Sequence, residues 1–498
     1  MFISYMSTFA NMVCGLFLSS FLLRALGDTD YGLYQTVSSF ATYLVLLEFG
    51  TGTVMTRNIS VCLNQGDDKT LQERLHKNYS TIWGISLLLS CVILLVGMVF
   101  YFSLGAIYSQ TMTAEQVVYA KKILLILFAN IIVSYLTQNI SGFLLAREEY
   151  VFSKLIALIR VILRAAVLVL VITLFRHSIL IAIVDLVLGV SVFLITFIYN
   201  KRKYKVKISL RHFDKTVFKT SIPMCIALLL QVFTNQANSN VDKFVIGVMM
   251  SMESVALYSI VQYIFTAFSS LATVPVSMFL PEVSKNMAKN LPPREFTQTL
   301  VRPCRLTVII CGSILCGFFA FGRPFISVVY GASKTDAWLY TLIILVPTFV
   351  DMTDAVLIDV LDIANKRLVR SLALLGTTLM NILMTVIFLN LWGIIGAVIA
   401  TAIALMIGNI LIMGVYYQKK FKVNILYLYK EAYAGLLPFQ MIAGAVTFAV
   451  VYFIKSPLFA LLAGAVLYVV LSFGMIWLFG LKPDDKAWLK RRFLRKGK

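Results

Sequence analysis

The feature that most constrains this chain is a series of fourteen apolar runs, each about 20 residues long. That is the length a helix needs to cross about 30 Å of hydrocarbon. Of the 498 residues, 60% are hydrophobic and only 13% are charged. The chain is therefore predicted to be an all-α polytopic membrane protein of about 14 transmembrane helices. The runs begin near residues 3, 34, 79, 118, 154, 178, 217, 255, 304, 337, 370, 393, 432 and 457.

The basic residues fall in alternate loops. With the N-terminus inside, most of the 44 lysines and arginines lie in inner segments, at 57–77, 147–154, 201–219, 285–305, 366–370, 419–430 and 482–498. The outer loops hold only Arg24, Lys121, Lys122, Arg176, Arg323, Lys334 and Lys455. An excess of Lys and Arg in cytoplasmic loops sets membrane orientation. We expect a protein of the cell membrane with both termini in the cytoplasm, and the net charge of +21 requires no nucleic acid partner.

The sequence shows no motif typical of a catalytic or nucleotide-binding site. The histidines at 76, 177 and 212 are isolated, and no glycine-rich nucleotide loop or Ser/His/Asp constellation is visible. The outer loops are too short for an extracytoplasmic catalytic domain. The first apolar run lacks a basic flank and a small-residue cleavage site, so we expect it to be retained rather than removed as a signal peptide. We expect no enzyme activity, no metal site and no cofactor.

Weak self-similarity predicts an internal repeat. With a shift of 224 residues, 32–34 lies over 256–258, each after a polar turn, and a shift of 218 aligns Ala146 with Ala364 and Ser153 with Ser371. Transporters built from such repeats bind substrate between the lobes near the bilayer midplane. The predicted order is an N-terminal six-helix lobe, a basic linker, a C-terminal six-helix lobe, two further helices and a basic tail, at 1–200, 201–220, 221–418, 419–482 and 483–498.

Residues 21–57 read FLLRALGDTDYGLYQTVSSFATYLVLLEFGTGTVMTR, with a first span ending in Leu-Gly, an acidic turn before Tyr-Gly-Leu-Tyr and a second span closing in Glu-Phe-Gly-Thr-Gly. A second motif combines Asp242-Lys243 and Gly247 with Ala-Leu-Tyr-Ser at 256–259. These stretches resemble the Wzx-type oligosaccharide flippases, the polysaccharide transporter branch of the MOP superfamily. The resemblance implies two lobes around a central cavity, alternating access, export of undecaprenyl-pyrophosphate-linked oligosaccharides, and coupling to H⁺ or Na⁺.

Two arginines lie inside the fifth apolar run. Arg160 and Arg164 are one turn apart, so their guanidinium groups project from the same face. A diphosphate crossing the bilayer is well matched by such fixed, always-ionised forks. The alternative is that one of them pairs with Glu48 or Asp185 as a structural bridge.

Arg24 and Arg57 are further candidates for substrate binding. They lie at the two ends of the first helical pair. By analogy with related lipid-linked sugar flippases they meet phosphate, and the alternative is that they anchor the helices at the membrane interface.

The apolar segment 221–248 carries a polar stripe. Its members fall within about 60° of one another on a helix, and they are Gln231, Asn235, Asn238 and Asp242. We expect the three amides to contact sugar, with hydrogen bonding to neighbouring helices as the alternative. Asp242 is beside Lys243, which neutralises it, so we expect a gating or lobe-fastening contact there.

Acidic residues within the spans are candidates for ion coupling or gating. Asp351 and Asp354 are one turn apart at membrane depth, where paired carboxylates hold an ion or share a proton. Glu48 and Asp185 are the acidic candidates of the first lobe.

The sequence therefore favours a flippase whose partners are a lipid-linked oligosaccharide, membrane lipid and polysaccharide assembly proteins. Three alternatives remain. A lipid II exporter differs only in its substrate, and a multidrug exporter of the same superfamily is disfavoured by a cationic cavity. A membrane-embedded polysaccharide polymerase or ligase is disfavoured by the short outer loops.

Overall fold

The structure is a computed structural model that describes residues 2–45, 50–64, 68–204, 213–277, 279–289, 291–364, 366–481, 483 and 486. The described part is helical and contains no β-strand. Its α-helices, numbered in chain order, are α1 (Phe2–Leu26), α2 (Asp28–Val45), α3 (Thr51–Asn64), α4 (Asp68–Ile107), α5 (Ala114–Ala146), α6 (Tyr150–Phe175), α7 (Ile179–Tyr204), α8 (Lys215–Met249), α9 (Met252–Ser277), α10 (Leu280–Ala288), α11 (Pro293–Thr307), α12 (Ser313–Tyr330), α13 (Asp336–Thr353), α14 (Ala355–Ile363), α15 (Arg367–Trp392), α16 (Ile394–Leu405), α17 (Met413–Phe421), α18 (Ile425–Tyr433), α19 (Leu437–Tyr452) and α20 (Pro457–Met475).

Short stretches of other helix types complete the backbone. A 3₁₀ turn, Ala332–Lys334, precedes α13. The π-helical segments Val308–Gly312 and Met406–Ile412 join α11 to α12 and α16 to α17, and Ile476–Gly480 follows α20. A π-helical turn widens the helix locally and redirects side chains, and such turns are frequent at functional sites.

Within the described residues, 10 helical stretches are long and apolar enough to cross a membrane. Counting α18 and α19, which are bent by 48°, as one span raises the number to 11. The three remaining predicted spans correspond to α1, α2 and α8. About half of the side chains of α1 and of α8 lie outside the described part. The all-helical polytopic fold is confirmed, whereas the count of fourteen is not.

The chain forms two compact units, Met1–Ser259 and Ile260–Lys498. In the first unit α5 is the central helix, and it contacts α2, α3, α4 and α7. In the second unit α12 contacts α13, α19 and α20. The lobe boundaries expected from the repeat, with a linker at 201–220, stay a prediction.

Small residues let α3 and α5 approach closely. A Cβ atom added to Gly142 would lie 2.2 Å from the carbonyl oxygen of Gly52, so only glycine fits there. Thr56 Oγ1 donates to the carbonyl of Gly142 at 3.0 Å across the same contact. Close packing at small residues and interhelical hydrogen bonds hold membrane helices together, because the hydrophobic effect does not drive helices to associate within lipid.

Arg305 joins three parts of the second unit. Its side chain is 2% exposed and donates to the carbonyl oxygens of Glu431 (2.9 Å), Ala434 (3.1 Å) and Gly480 (3.0 Å). These carbonyls lie at the α18–α19 bend and at the end of the π-helical segment after α20. The positive charge that sequence analysis placed among cytoplasmic loop residues therefore ties the last helices to α11.

We expect Arg305→Lys to lower the free energy of unfolding by about 2–4 kcal/mol, because an ammonium group cannot reach all three buried carbonyls from one position. The measurement is the thermal unfolding midpoint of the purified chain in detergent. Arg302→Lys, on the same helix and only partly buried, is the matched control and should leave the midpoint unchanged. Equal midpoints for both variants would contradict a fastening role for Arg305.

Candidate functional site

Arg164 and Asp185 form an ion pair between α6 and α7. Arg164 Nε lies 2.5 Å from Asp185 Oδ1, and Arg164 Nη2 donates to Asp185 Oδ2 at 2.9 Å. The Asp185 side chain is only 14% exposed. This two-pronged geometry is the structural bridge that the sequence left open as an alternative. The guanidinium of Arg164 is therefore already paired within the protein.

Arg160 is placed differently, although it lies one turn away on the same helix face. It is half-buried and makes no hydrogen bond or salt bridge with a described residue, and its interactions with Asp185 and Arg164 are electrostatic only. Beside it, Asn130 on α5 has a buried Oδ1 without a hydrogen-bond partner. A Cβ atom at Gly189 on α7 would lie 2.8 Å from Asn130 Oδ1 and 3.9 Å from Arg160 Nη2. The guanidinium of Arg160 and the amide oxygen of Asn130, neither of them hydrogen-bonded to a described residue, therefore both lie beside Gly189, which has no side chain.

Asn130 was not among the residues predicted for the site. A lone amide within the apolar run of α5 was its only sequence signal. Nothing in that run indicates that α5 and α6 bring Asn130 and Arg160 to the same glycine of α7.

The register between α6 and α7 is secured at the turn before α6. Glu149 accepts hydrogen bonds from Tyr199 Oη at 3.1 Å, from Tyr204 Oη at 2.6 Å and from Lys203 Nζ. These bonds, with that from Lys203 the strongest, hold the pKa of Glu149 below its usual value, so the carboxylate stays ionised. The turn before α6 is thereby tied to the end of α7, which helps to align Arg164 with Asp185.

Asp242 of the predicted polar stripe is buried near the end of α8. Its Oδ2 accepts a hydrogen bond from Tyr258 Oη at 2.6 Å, which joins α8 to α9. Lys243 beside it is also buried. The side chains of Gln231, Asn235 and Asn238 lie outside the described part of the chain, so their roles stay predictions.

The two turns that the repeat aligned, 27–30 and 251–254, contact each other. Thr29 Oγ1 donates to Glu253 Oε1 at 2.7 Å. A Cβ atom at Gly32 would lie 1.9 Å from the carbonyl oxygen of Met252, so the start of α2 touches the backbone at the start of α9. Thr111 Oγ1, in the α4–α5 turn, donates to the carbonyl of Gly247 at 2.9 Å. These contacts fasten the end of α8 and the start of α9 to α2 and to the α4–α5 turn.

In the second unit, Asp351 is buried on the last turn of α13. Its Oδ2 accepts a hydrogen bond from Asn409 Nδ2 at 2.8 Å. Asn409 belongs to the π-helical segment between α16 and α17, so this irregular turn supplies the amide. Arg370 acts electrostatically on the same carboxylate.

Asp354 lies at the break between α13 and α14. Its Oδ2 accepts from Tyr429 Oη at 2.5 Å, while its Oδ1 is buried without a hydrogen-bond partner. Tyr433 stacks on Tyr429 with ring centroids 5.5 Å apart. Interrupted membrane helices commonly bind coupling ions in transporters. Such a break, with a buried oxygen unengaged, can accept a proton or a small cation.

Both carboxylates were predicted from the sequence, but their partners Asn409 and Tyr429 were not. Asn409 stood out only as an amide in an apolar run, and Tyr429 carried no signal at all. Their distances along the chain from the aspartates, 58 and 75 residues, put the pairing beyond local pattern.

Three predicted site residues remain, Arg24, Arg57 and Glu48. Arg24 and Arg57 are exposed, on α1 and α3. Glu48 lies outside the described residues. In the part of the chain that the structure describes, no three His, Cys, Asp or Glu side chains are grouped as a metal site requires.

The chain is similar in sequence to one known protein family. A family described as "Polysaccharide biosynthesis protein" matches residues 1–287. No curated protein matches the chain significantly.

Solved structures share the fold at low sequence identity. "Lipid II flippase MurJ, inward closed conformation" is 16% identical, with a TM-score of 0.73 over 96% of this chain and 99% of that one. A "multidrug resistance MATE family transporter of the MOP superfamily" in an inward-facing conformation is 15% identical, with a TM-score of 0.61 over 84% and 95%. At these identities the likeness concerns the fold alone.

Proposed function

Because the chain belongs to the polysaccharide biosynthesis protein family, we propose that it is a flippase that moves undecaprenyl-pyrophosphate-linked oligosaccharides across the cell membrane. The observation that carries this proposal is the family match over residues 1–287, more than half of the chain. The MOP-type fold supports a mechanism of alternating access without a chemical step.

The two arginines of α6 have different roles. Arg160 has an unengaged guanidinium, so it is the group that meets phosphate, with Asn130 as a neighbouring polar contact. Arg164 remains paired with Asp185 and steadies α6 against α7. Gln231, Asn235 and Asn238 contact the sugars. Arg24 and Arg57 are exposed cations that attract the charged head before it enters.

Asp242 acts as a gating contact. Its hydrogen bond to Tyr258 fastens α8 to α9, and the start of α9 is joined to the start of α2 by the bond between Thr29 and Glu253. A carboxylate repels an anionic head, which favours a fastening role over substrate binding. Glu48 is a further gating candidate.

Asp351 and Asp354 couple transport to a proton or Na⁺. Support comes from the buried, unengaged Oδ1 of Asp354 at a helix break and from the amide that Asn409 presents to Asp351. Protonation or cation binding would change the charge at this break and so favour one conformation over the other.

The proposed placement in the membrane has both termini in the cytoplasm, as the distribution of Lys and Arg indicates. In this arrangement the chain receives its substrate at the cytoplasmic face and releases it outside, with the prenyl tail in lipid. Assembly proteins of the polysaccharide pathway are proposed partners at the outer face.

Lipid II export is the second candidate function. It is favoured by the similarity of nearly the whole fold to a lipid II flippase. Both substrates present a prenyl diphosphate, so Arg160 serves either one, and the sugars distinguish them.

The test is the fate of lipid-linked sugar in cells that lack the protein. We expect undecaprenyl-pyrophosphate-linked oligosaccharide to accumulate on the cytoplasmic side, out of reach of an external lectin, while lipid II export continues. Accumulation of lipid II inside would instead support the second candidate. Single oligosaccharide units already outside the cell would exclude both and indicate a polymerase or ligase.

A further inference from the structure

A cavity of about 360 Å³ lies in the second unit, where the α12–α13 and α19–α20 turns meet. This volume falls within the range of about 300–1,000 Å³ typical of small-molecule sites. The polar and aromatic residues that line it include Arg323, Ser327, Thr335, Trp338, Phe448 and Lys455. None of them belongs to the groups proposed above for transport.

The cavity is electropositive. Arg323 and Lys455 are exposed and form no salt bridge or hydrogen bond with a described residue. Thr335 precedes the first residue of α13, and Pro457, which also lines the cavity, begins α20. Each turn also brings the C-terminal end of a helix, α12 or α19, so the helix dipoles oppose one another and the positive charge of the cavity comes from Arg323 and Lys455. An acidic side chain, Asp336, follows Thr335 in sequence but is exposed and pairs with neither cation.

Aromatic rings form one wall. Trp338 and Phe448 are nearly parallel, with an interplanar angle of 9° and centroids 6.3 Å apart, and Trp338 Nε1 donates to the carbonyl of Phe318 at 3.1 Å. Tyr452 and Phe453 at the end of α19 are 74% and 80% exposed. Aromatic residues with Arg and Lys beside exposed apolar surface are typical of the depth at which lipid headgroups lie.

We propose that this cavity binds the phosphate of an anionic bilayer lipid. Arg323 offers a planar fork that matches two phosphate oxygens, and Lys455 offers a compact positive charge. The hydroxyls of Ser327 and Thr335 hydrogen-bond the ester or glycerol oxygens, and the acyl chains lie along the exposed apolar residues at the rim. A simple interfacial anchor would leave these two cations pointing outward, whereas here they line a concave site. The proposal goes beyond transport, because the occupant is a lipid of the surrounding membrane.

The experiment is native mass spectrometry of the full chain in detergent, titrated with phosphatidylglycerol and, separately, with phosphatidylcholine of the same acyl chains. We expect one phosphatidylglycerol to be retained in preference to phosphatidylcholine. Each cation near a membrane surface contributes about fivefold in affinity, so Arg323→Gln with Lys455→Gln should weaken that binding about 25-fold. The matched control is Lys122→Gln with Arg176→Gln, which removes the same charge from exposed residues elsewhere and should retain wild-type affinity.

A cavity-filling variant separates a built site from diffuse attraction. Ser327→Phe keeps the charge and should also lose phosphatidylglycerol, while its thermal unfolding midpoint in phosphatidylcholine confirms folding. Equal binding by the wild type and the double glutamine variant would overturn the proposal. Displacement by millimolar inorganic phosphate, or by undecaprenyl phosphate at equal concentration, would also overturn it, because the occupant would then be a free anion or the carrier lipid. Since the readout is lipid binding, its failure would leave the proposed transport function untouched.

Discussion

Replacing Arg160 by glutamine is expected to slow transport of the lipid-linked substrate about 10- to 150-fold while leaving thermal stability unchanged. A hydrogen bond to a charged group contributes about 1.5–3 kcal/mol, and this range converts to that loss in rate. Stability should not fall because Arg160 has no salt bridge or hydrogen bond with a described residue to lose. The measurement is a proteoliposome assay in which an undecaprenyl-pyrophosphate-linked sugar becomes accessible to an external lectin.

The matched variant on the same helix is Arg164→Gln. It leaves the mostly buried carboxylate of Asp185 without its ion-pair partner, so we expect the unfolding midpoint to fall by an amount equivalent to about 1–3 kcal/mol. Adding Asp185→Asn should recover much of that loss, because the uncompensated charge disappears. Arg160→Lys should retain part of the transport activity, since the charge remains and the fork is lost. Wild-type transport by Arg160→Gln would remove this residue from the phosphate site.

Asparagine at Asp351 or at Asp354 is expected to abolish the response of transport to an imposed ion gradient. Coupling between two sites is typically worth about 5- to 150-fold, so the driven rate should fall by a factor in that range, toward the rate without a gradient. Asparagine still accepts the hydrogen bonds from Asn409 and Tyr429, so the local structure should be retained while the charge is lost. The measurement is transport in proteoliposomes with separately imposed pH and Na⁺ gradients.

Tyr429→Phe is the control for this pair. It removes the hydrogen bond at Asp354 Oδ2 and leaves the carboxylate itself, so ion dependence should persist even if the rate changes. The gradient to which the wild type responds identifies the ion. Unchanged rates and ion dependence in both asparagine variants would exclude these carboxylates from coupling.

Much of the architecture followed from local pattern. Each helical stretch long and apolar enough to cross a membrane overlaps a predicted span, because the length of an apolar run and the need to satisfy backbone hydrogen bonds within a bilayer are both properties of consecutive residues. The helix breaks were not predicted. The interruption at Asp354 and the π-helical segment around Asn409 depend on contacts with other helices.

The sequence by itself determined that the chain is an all-helical polytopic membrane protein and which charged residues lie within its apolar runs, including Arg160, Arg164, Asp351 and Asp354. Only the tertiary structure decided which of two equivalent arginines is engaged. They lie one turn apart on the same helix face, so the helix periodicity of the sequence does not distinguish them. The register of α7 pairs Asp185 with Arg164 and places Gly189 beside Arg160. Pairings of this kind depend on helix packing between distant segments, which the periodicity of a single helix does not encode.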